Sequence, residues 1–369
     1  MNTTHQHGEQ RLSIVKLKAW EALQFGMFIH FGMSTYDGDE CSRGDKPATL
    51  YAPDRLNVDQ WVEVARDAGM KYVVCGAKHH SGFCLWPTRH TDYHVGKSGN
   101  RTDVIGALAQ ACERNQIQLG VYYASWDNHN TFGSVVGNHV PAGTRGFVTQ
   151  AYLDFQFAQV EELLTQYGRM VEVWIDIPQL LGVEGRSRQY QQIASLQPDA
   201  AVMMNNGFGM TDKGVSSGVE LKYDFVWPTD LLSIERSLPA RMGKEGEYTP
   251  WRTVSGRNGE TKRCYIPAEV CDPIGREWFC INDDRPRSVR ELLGMRLICA
   301  ERGANLLLSV PPDQHGLIPR HYIDTLVELR RLYEGVEAQG IIQRNVGTDR
   351  MSAQQVCPDY EAVKETIGS

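Results

Sequence analysis

No stretch of this 369-residue chain approaches 18 consecutive apolar residues, so nothing in it reads as a membrane span. Its start, MNTTHQHGEQRLSIVKLKAW, lacks the apolar core of a signal peptide. As written the chain reads as cytoplasmic, and a leader trimmed ahead of this start would point instead to secretion or the periplasm. No Cys-x-x-Cys pair occurs among nine scattered cysteines, an odd number, which argues against a zinc ribbon or disulfide scaffold and for reduced thiols. Cys75 and Cys299 sit in apolar periodic segments and read as small core residues. There is no basic block either. Arg285, Arg287 and Arg290 alternate with Asp283, Asp284 and Glu291, and 38 basic against 45 acidic residues leave a net charge of −7. Such a surface repels phosphate backbones, so general nucleic-acid binding is not expected. Internal repeats, low-complexity tracts and a Gly-x-Gly-x-x-Gly turn are all missing, and the last absence disfavours a dinucleotide-binding open sheet.

What is present is an ordinary globular composition, 41% apolar and 22% charged, arranged as an alternation of short β-rich runs and amphipathic stretches. Residues 26–32, 71–77, 119–125, 171–176, 201–205 and 305–310 read as strands, with 224–227 and 277–281 as two more. Helices are expected over 58–69, 103–116, 146–168, 190–196, 288–303 and 322–334, the fifth capped by Ser288 and stopped by Gly303. Residues 236–264, rich in Gly, Arg and polar residues, look like a long excursion. About eight strands, most followed by a helix, predict an α/β fold, a (β/α)8 TIM-like barrel irregular in its second half. The boundaries are an N-terminal tail at 1–13, the barrel at 14–335, and a C-terminal extension at 336–369, too short for a β-sandwich domain.

Active residues of such barrels lie at the C-terminal strand ends. Those ends carry His30; then Lys78, His79 and His80, running on to Phe83 and Trp86; then Tyr122, Tyr123, Trp126 and Asp127; then Trp174 and Asp176; then Asn205 and Asn206. Singly, a histidine there is usually a satisfied loop residue, a tryptophan packing, and an aspartate a helix cap. Together they suit a sugar, whose C–H faces pack on aromatics and whose hydroxyls bond His, Asn and Trp. Metal ligation is the competing reading. Adjacent His79 and His80 should point to opposite faces of a strand and chelate poorly, so neither a metal nor any other cofactor is expected.

The blocks FGMFIHFG, WVEVARDAGMKYVVCGAKHHSGFCLW, LGVYYASW and VEVWID, with the later GANLLLSVPPDQHGLIP, resemble the retaining α-L-fucosidases of glycoside hydrolase family 29 from about residue 14 to 335. The resemblance implies a fucosylated carbohydrate substrate and a covalent fucosyl-enzyme intermediate, and leaves room for a homo-oligomer. It implies Asp176 as nucleophile and His30, His79, His80, Tyr123 and Trp174 as fucose-binding residues, with Glu40 and Trp86 near the pocket lining. The acid/base lies among Glu235, Glu269 and Glu220. Glu235 is preferred because it follows the apolar Leu231, Leu232 and Ile234, which could desolvate it, provided Arg236 turns away; Glu269 comes second, at the pocket rim. Phe28, Phe31, Trp278 and Phe279 are candidates to pack on the C6 methyl of fucose. The family's Asn-Asp-Arg run is Asn205-Asn206-Gly207 here, so its arginine contact is missing or supplied elsewhere. A catalytically idle sugar-binding barrel and a metal-dependent hydrolase on the same fold are the alternatives.

Overall fold

The computed structural model describes residues 10–137, 146–205, 220–222, 228–239, 250–255 and 261–339. Eight parallel strands form one sheet: β1 (Phe25–Ile29), β2 (Tyr72–Lys78), β3 (Gln118–Ala124), β4 (Glu172–Asp176), β5 (Ala201–Met204), β7 (Leu232–Glu235), β10 (Ala268–Pro273) and β11 (Asn305–Ser309). Their order, β5-β4-β3-β2-β1-β11-β10-β7, is that of a barrel left unzipped between β5 and β7. The chain just before β7 closes that seam. Asp230 N donates to Val202 O at 2.8 Å, and Val202 N and Met204 N donate to Asp230 Oδ2 and Thr229 Oγ1 at 3.0 and 3.1 Å.

Strand alternation divides the core into two sets, because successive side chains face opposite sides. Met27, Ile29, Val73, Cys75, Val121, Val173 and Ile175 face outward and pack under the helices. Phe28, Tyr72, Val74, Tyr122, Trp174 and Leu307 fill the barrel interior. Gly26 leaves room for one of these: a Cβ there would lie 2.5 Å from the Tyr72 ring.

The outer layer consists of α3 (Val58–Asp67), α4 (Val104–Asn115), α5 (Gln150–Gln166), α6 (Gly182–Leu196), α7 (Val289–Arg302) and α8 (Arg320–Ala338), with the short α2 (Met33–Asp37) after β1. Side-chain N-caps start several of them: Asp103 accepts from Gly106 N at 2.9 Å, and Ser288, as expected, from Glu291 N at 3.2 Å. Gly303 ends α7 in the left-handed conformation, also as expected.

The second half is irregular. β6 (Glu220–Lys222) and, from the expected excursion, β8 (Trp251–Ser255) and β9 (Thr261–Tyr265) make a separate three-stranded sheet. The sixth and seventh barrel strands are β7 and β10. Residues 224–227 lie outside the described residues. Residues 277–281 form a loop that carries Trp278 and Phe279 over the barrel mouth. The expected tail is also revised from residue 10 onward. Leu12 is buried, and Arg11 donates to Ala200 O at 2.7 Å and pairs with the fully buried Asp230. With α1 (Ile14–Glu21), whose Leu17 and Trp20 face the interior core, this segment plugs the barrel floor.

Candidate active site

At the C-terminal mouth of the barrel is a cavity of about 190 Å3, lined by Phe28, His30, Glu40, His79, His80, Tyr122, Trp174, Asp176, Ile177, Asn205, Glu235, Cys271 and Trp278. Ligand pockets commonly run to about 300–1,000 Å3, so this space suits a single sugar-sized group. Each barrel strand from β1 to β5, and then β7 and β10, delivers at least one inward residue near or just past its C-terminal end.

Asp176 ends β4 and is held on both oxygens. Oδ1 accepts from Asn205 Nδ2 at 2.8 Å and from Ile177 N at 2.9 Å; Oδ2 accepts from the Tyr122 hydroxyl at 2.5 Å, with His80 Nε2 at 3.7 Å. Burial alone would raise the pKa of this carboxyl. The neighbouring His80 ring, with the Tyr122 and Asn205 donors, more than offsets it and holds Asp176 below its ordinary value.

Glu235 ends β7, and Asn205 Nδ2 reaches its Oε2 at 3.5 Å, so one amide touches both carboxyls. Burial, and then the negative charge of Asp176, push Glu235 up to about 7. The source of the burial is not the one expected. Leu232 and Ile234 alternate to the outer face, and only Leu231 joins the interior set. Arg236 turns onto Trp278, its guanidinium 5.0 Å from the ring centroid and donating to Arg276 O at 2.9 Å. A third carboxyl, Glu40, comes from the loop after α2, and burial raises its pKa too.

All three expected histidines line the cavity. His30 Nδ1 lies 2.9 Å from Ser309 Oγ, whose own proton goes to Trp278 O at 3.3 Å. The serine therefore accepts, Nδ1 carries the proton, and Nε2 is left as an acceptor. Burial keeps the His30 imidazole neutral, with its pKa lowered to about 3, and lowers His79 well below its ordinary value. His79 and His80 do not split to opposite faces. β2 ends at Lys78, the chain turns, and the two rings stack with centroids 4.0 Å apart. Buried His79 Nδ1 and both ring nitrogens of His80 have no hydrogen-bond partner, which leaves polar atoms for an incoming ligand to satisfy. Among the described residues no group of three or more His, Cys, Asp and Glu side chains is arranged to hold a metal ion.

Several expected contacts fall elsewhere. Tyr123 alternates to the outer face of β3 and donates to Gln159 Oε1 at 2.8 Å; its neighbour Tyr122 points inward instead. Trp86 is buried behind the sheet, its indole bonded to Glu162 Oε2 at 3.1 Å on α5. Glu269 is sealed deep in the barrel interior rather than at the rim, accepting from Tyr72 and Trp174. Trp174 does line the cavity, but its N–H is committed to Glu269, so it offers a ligand only its ring. Phe31 packs outward against Tyr51 and Trp61, and Phe279 backs His30 and His79, which leaves Phe28 and Trp278 as apolar wall. Glu220 lies on β6, outside the barrel sheet, and its side chain is not among the described residues; Asn206 and Gly207 lie outside them altogether. The sequence reading missed Ile177 and Cys271. Trp174, Asp176 and Cys271 are inward by strand alternation, the signal that also picks Tyr122 over Tyr123.

The alpha-L-fucosidase family model matches residues 45–332. Alpha-L-fucosidase 1 of Arabidopsis thaliana is 30% identical over 339 residues, 88% of this chain and 61% of its own length. Alpha-L-fucosidase isoenzyme 1 from Paenibacillus thiaminolyticus superposes with a TM-score of 0.71 at 24% identity, over 91% of this chain and 79% of that one. An alpha-L-fucosidase from Lactobacillus casei, solved with alpha-L-fucose product, has a TM-score of 0.65 at 20% identity, over 88% of this chain and 99% of that one. The chain spans about 60% of the length of the first curated relatives it matches. With a family model matched across the barrel and the same architecture in these structures, the chain belongs to the alpha-L-fucosidase family.

Proposed function

We propose that this protein is a retaining α-L-fucosidase that removes terminal α-L-fucose from oligosaccharides or glycoconjugates through a covalent fucosyl-enzyme. The observation that carries the reading is the Asp176–Glu235 pair, two carboxyls touched by one Asn205 amide whose pKa values are pushed in opposite directions. Asp176, ionised, attacks the anomeric carbon. Glu235, protonated near neutrality, gives its proton to the leaving oxygen and then takes one from water. The shared Asn205 amide brings one oxygen of each carboxyl within reach of the same nitrogen, in keeping with the closely spaced pair that a retaining mechanism needs. Neutral His30 and His79 serve as hydrogen-bonding groups for sugar hydroxyls, and Phe28 and Trp278 pack on the C6 methyl. That methyl contributes only about 0.8 kcal/mol, so discrimination against galactose rests on steric closure around it. Two oppositely tuned carboxyls are more than an idle sugar-binding barrel needs.

The test is a pair of variants. Asp176→Ala abolishes hydrolysis of an aryl α-L-fucoside, and azide partly restores turnover with the inverted fucosyl azide as product. Glu235→Ala keeps activity on a fucoside with a good leaving group and fails on a natural disaccharide. Near-normal turnover by folded Asp176→Ala would remove the assignment.

A further inference from the structure

Glu172 and Glu269 face each other in the barrel interior below the cavity, both at 0% exposure. Neither has an ion pair with a Lys, Arg or His among the described residues. Two ionised carboxylates in contact and fully desolvated, with no cation, would cost far more than the fold could offset, so at least one must be neutral. The hydrogen bonds around the pair show which. Glu269 takes donors on both oxygens: the Tyr72 hydroxyl on Oε1 at 2.5 Å and Trp174 Nε1 on Oε2 at 3.0 Å. Glu172 Oε2 accepts from Trp20 Nε1 at 3.1 Å, but Glu172 Oε1 is buried with no donor to receive. An oxygen in that position is satisfied by carrying the proton and donating it to the neighbouring carboxylate.

We propose that Glu172 and Glu269 form a hydrogen-bonded acid–carboxylate pair, with the proton on Glu172 Oε1 and the charge on Glu269, and that Glu269 acts as a positioning residue that fixes the Trp174 ring in the cavity floor. Burial raises both carboxyls, and the contact between them lowers Glu269 and raises Glu172 further, which agrees with that order. Three aromatic side chains hang on the pair: Trp174 from the cavity, Tyr72 from β2, and Trp20 from the floor helix α1. The floor plug and the cavity are therefore joined through two carboxyls that never meet solvent. Trp174 cannot hold itself there by its N–H to a ligand, because Glu269 already takes that bond. The positioning half of the proposal rests on the fucosidase reading; the protonation half does not.

Two glutamine substitutions distinguish the partners. Glu172→Gln replaces an acid O–H by an amide N–H and keeps a carbonyl for Trp20, so its melting temperature, and KM and kcat on an aryl fucoside, stay within about two-fold or a few degrees of the parent. Glu269→Gln sets an amide N–H2 among donors. It raises KM, and the inhibition constant of free L-fucose, about ten-fold with a smaller change in kcat. Infrared spectra recorded well above pH 7, where Glu235 has lost its proton, should show the carbonyl stretch of a buried carboxylic acid in the parent and in Glu235→Gln, and lose it in Glu172→Gln. The spectra and melting curves read the pair even if no fucoside is cleaved. Persistence of that band in Glu172→Gln, or equal damage from both substitutions, would overturn the proton assignment. Unchanged KM and L-fucose inhibition in a folded Glu269→Gln, with fucosidase activity intact, would overturn the positioning role.

Discussion

Tyr122 makes the shortest hydrogen bond to Asp176, the proposed nucleophile, its hydroxyl donating to Oδ2 at 2.5 Å. A hydrogen bond to a charged group is worth about 1.5–3 kcal/mol, so Tyr122→Phe moves the acid limb of the kcat/KM profile up by about one to two pH units. Its alkaline limb, set by Glu235 near 7, stays in place in that variant. Glu235 has a stability signature as well. The folded protein keeps this proton up to about 7, whereas the unfolded chain releases it near 4.5, so between those values the native state binds more protons and stability falls as pH rises. Glu235→Gln removes the slope. It should match the parent at pH 4 and exceed it by about 3 kcal/mol at pH 8, as measured by denaturant unfolding at both pH values.

At the scale of elements, the weak place is the seam between β5 and β7, which Asp230 closes from a position with no exposure. Its carboxylate accepts from Tyr190 at 2.6 Å and pairs with Arg11, so the N-terminal segment takes part in barrel closure. Removing one partner of a buried pair leaves an uncompensated charge and costs about 3–5 kcal/mol. Arg11→Met, or a truncation that starts the chain at Ile14, is expected to lose that much in urea unfolding. Gly26 offers a second probe. Gly26→Ala forces the Tyr72 ring, 2.5 Å from the new Cβ, off its position and hence off Glu269, so it should reproduce the raised KM of the Glu269 variant.

For the whole molecule, the net charge of −7 has little to act on when the substrate is a neutral sugar. Steering by the protein field needs a charged partner, so kcat/KM on a neutral fucoside should change less than about two-fold between about 20 mM and 500 mM salt. Hydrolysis that survives exhaustive chelation is likewise expected, because His30 is bonded to Ser309 and the neutral imidazoles are placed to meet hydroxyls. Loss of turnover to a chelator would bring back the metal-dependent reading.

The chain by itself determined the repeating frame and one half of the site. Apolar runs such as residues 72–77 and 119–125 are buried on both faces, and caps such as Asp103 and Ser288 act within one helical turn, so both are legible without tertiary contacts. His30, His79, His80 and Asp176 stood out because each ends a strand that could be recognised locally. β7 and β10 could not be recognised, because Ser233, Glu235 and Glu269 put polar groups on the inward face of short strands, where a sequence pattern expects apolar ones. Tertiary structure decided the rest. Alternation along a correctly registered β3 turned Tyr122 in and Tyr123 out, and helix α5 claimed Trp86 through Glu162. Two glutamates that looked alike in the sequence were separated by depth. Glu235 reached a cavity beside Asp176, whose charge helps keep it protonated, while Glu269 was enclosed with Tyr72, Trp174 and a second buried carboxyl, Glu172.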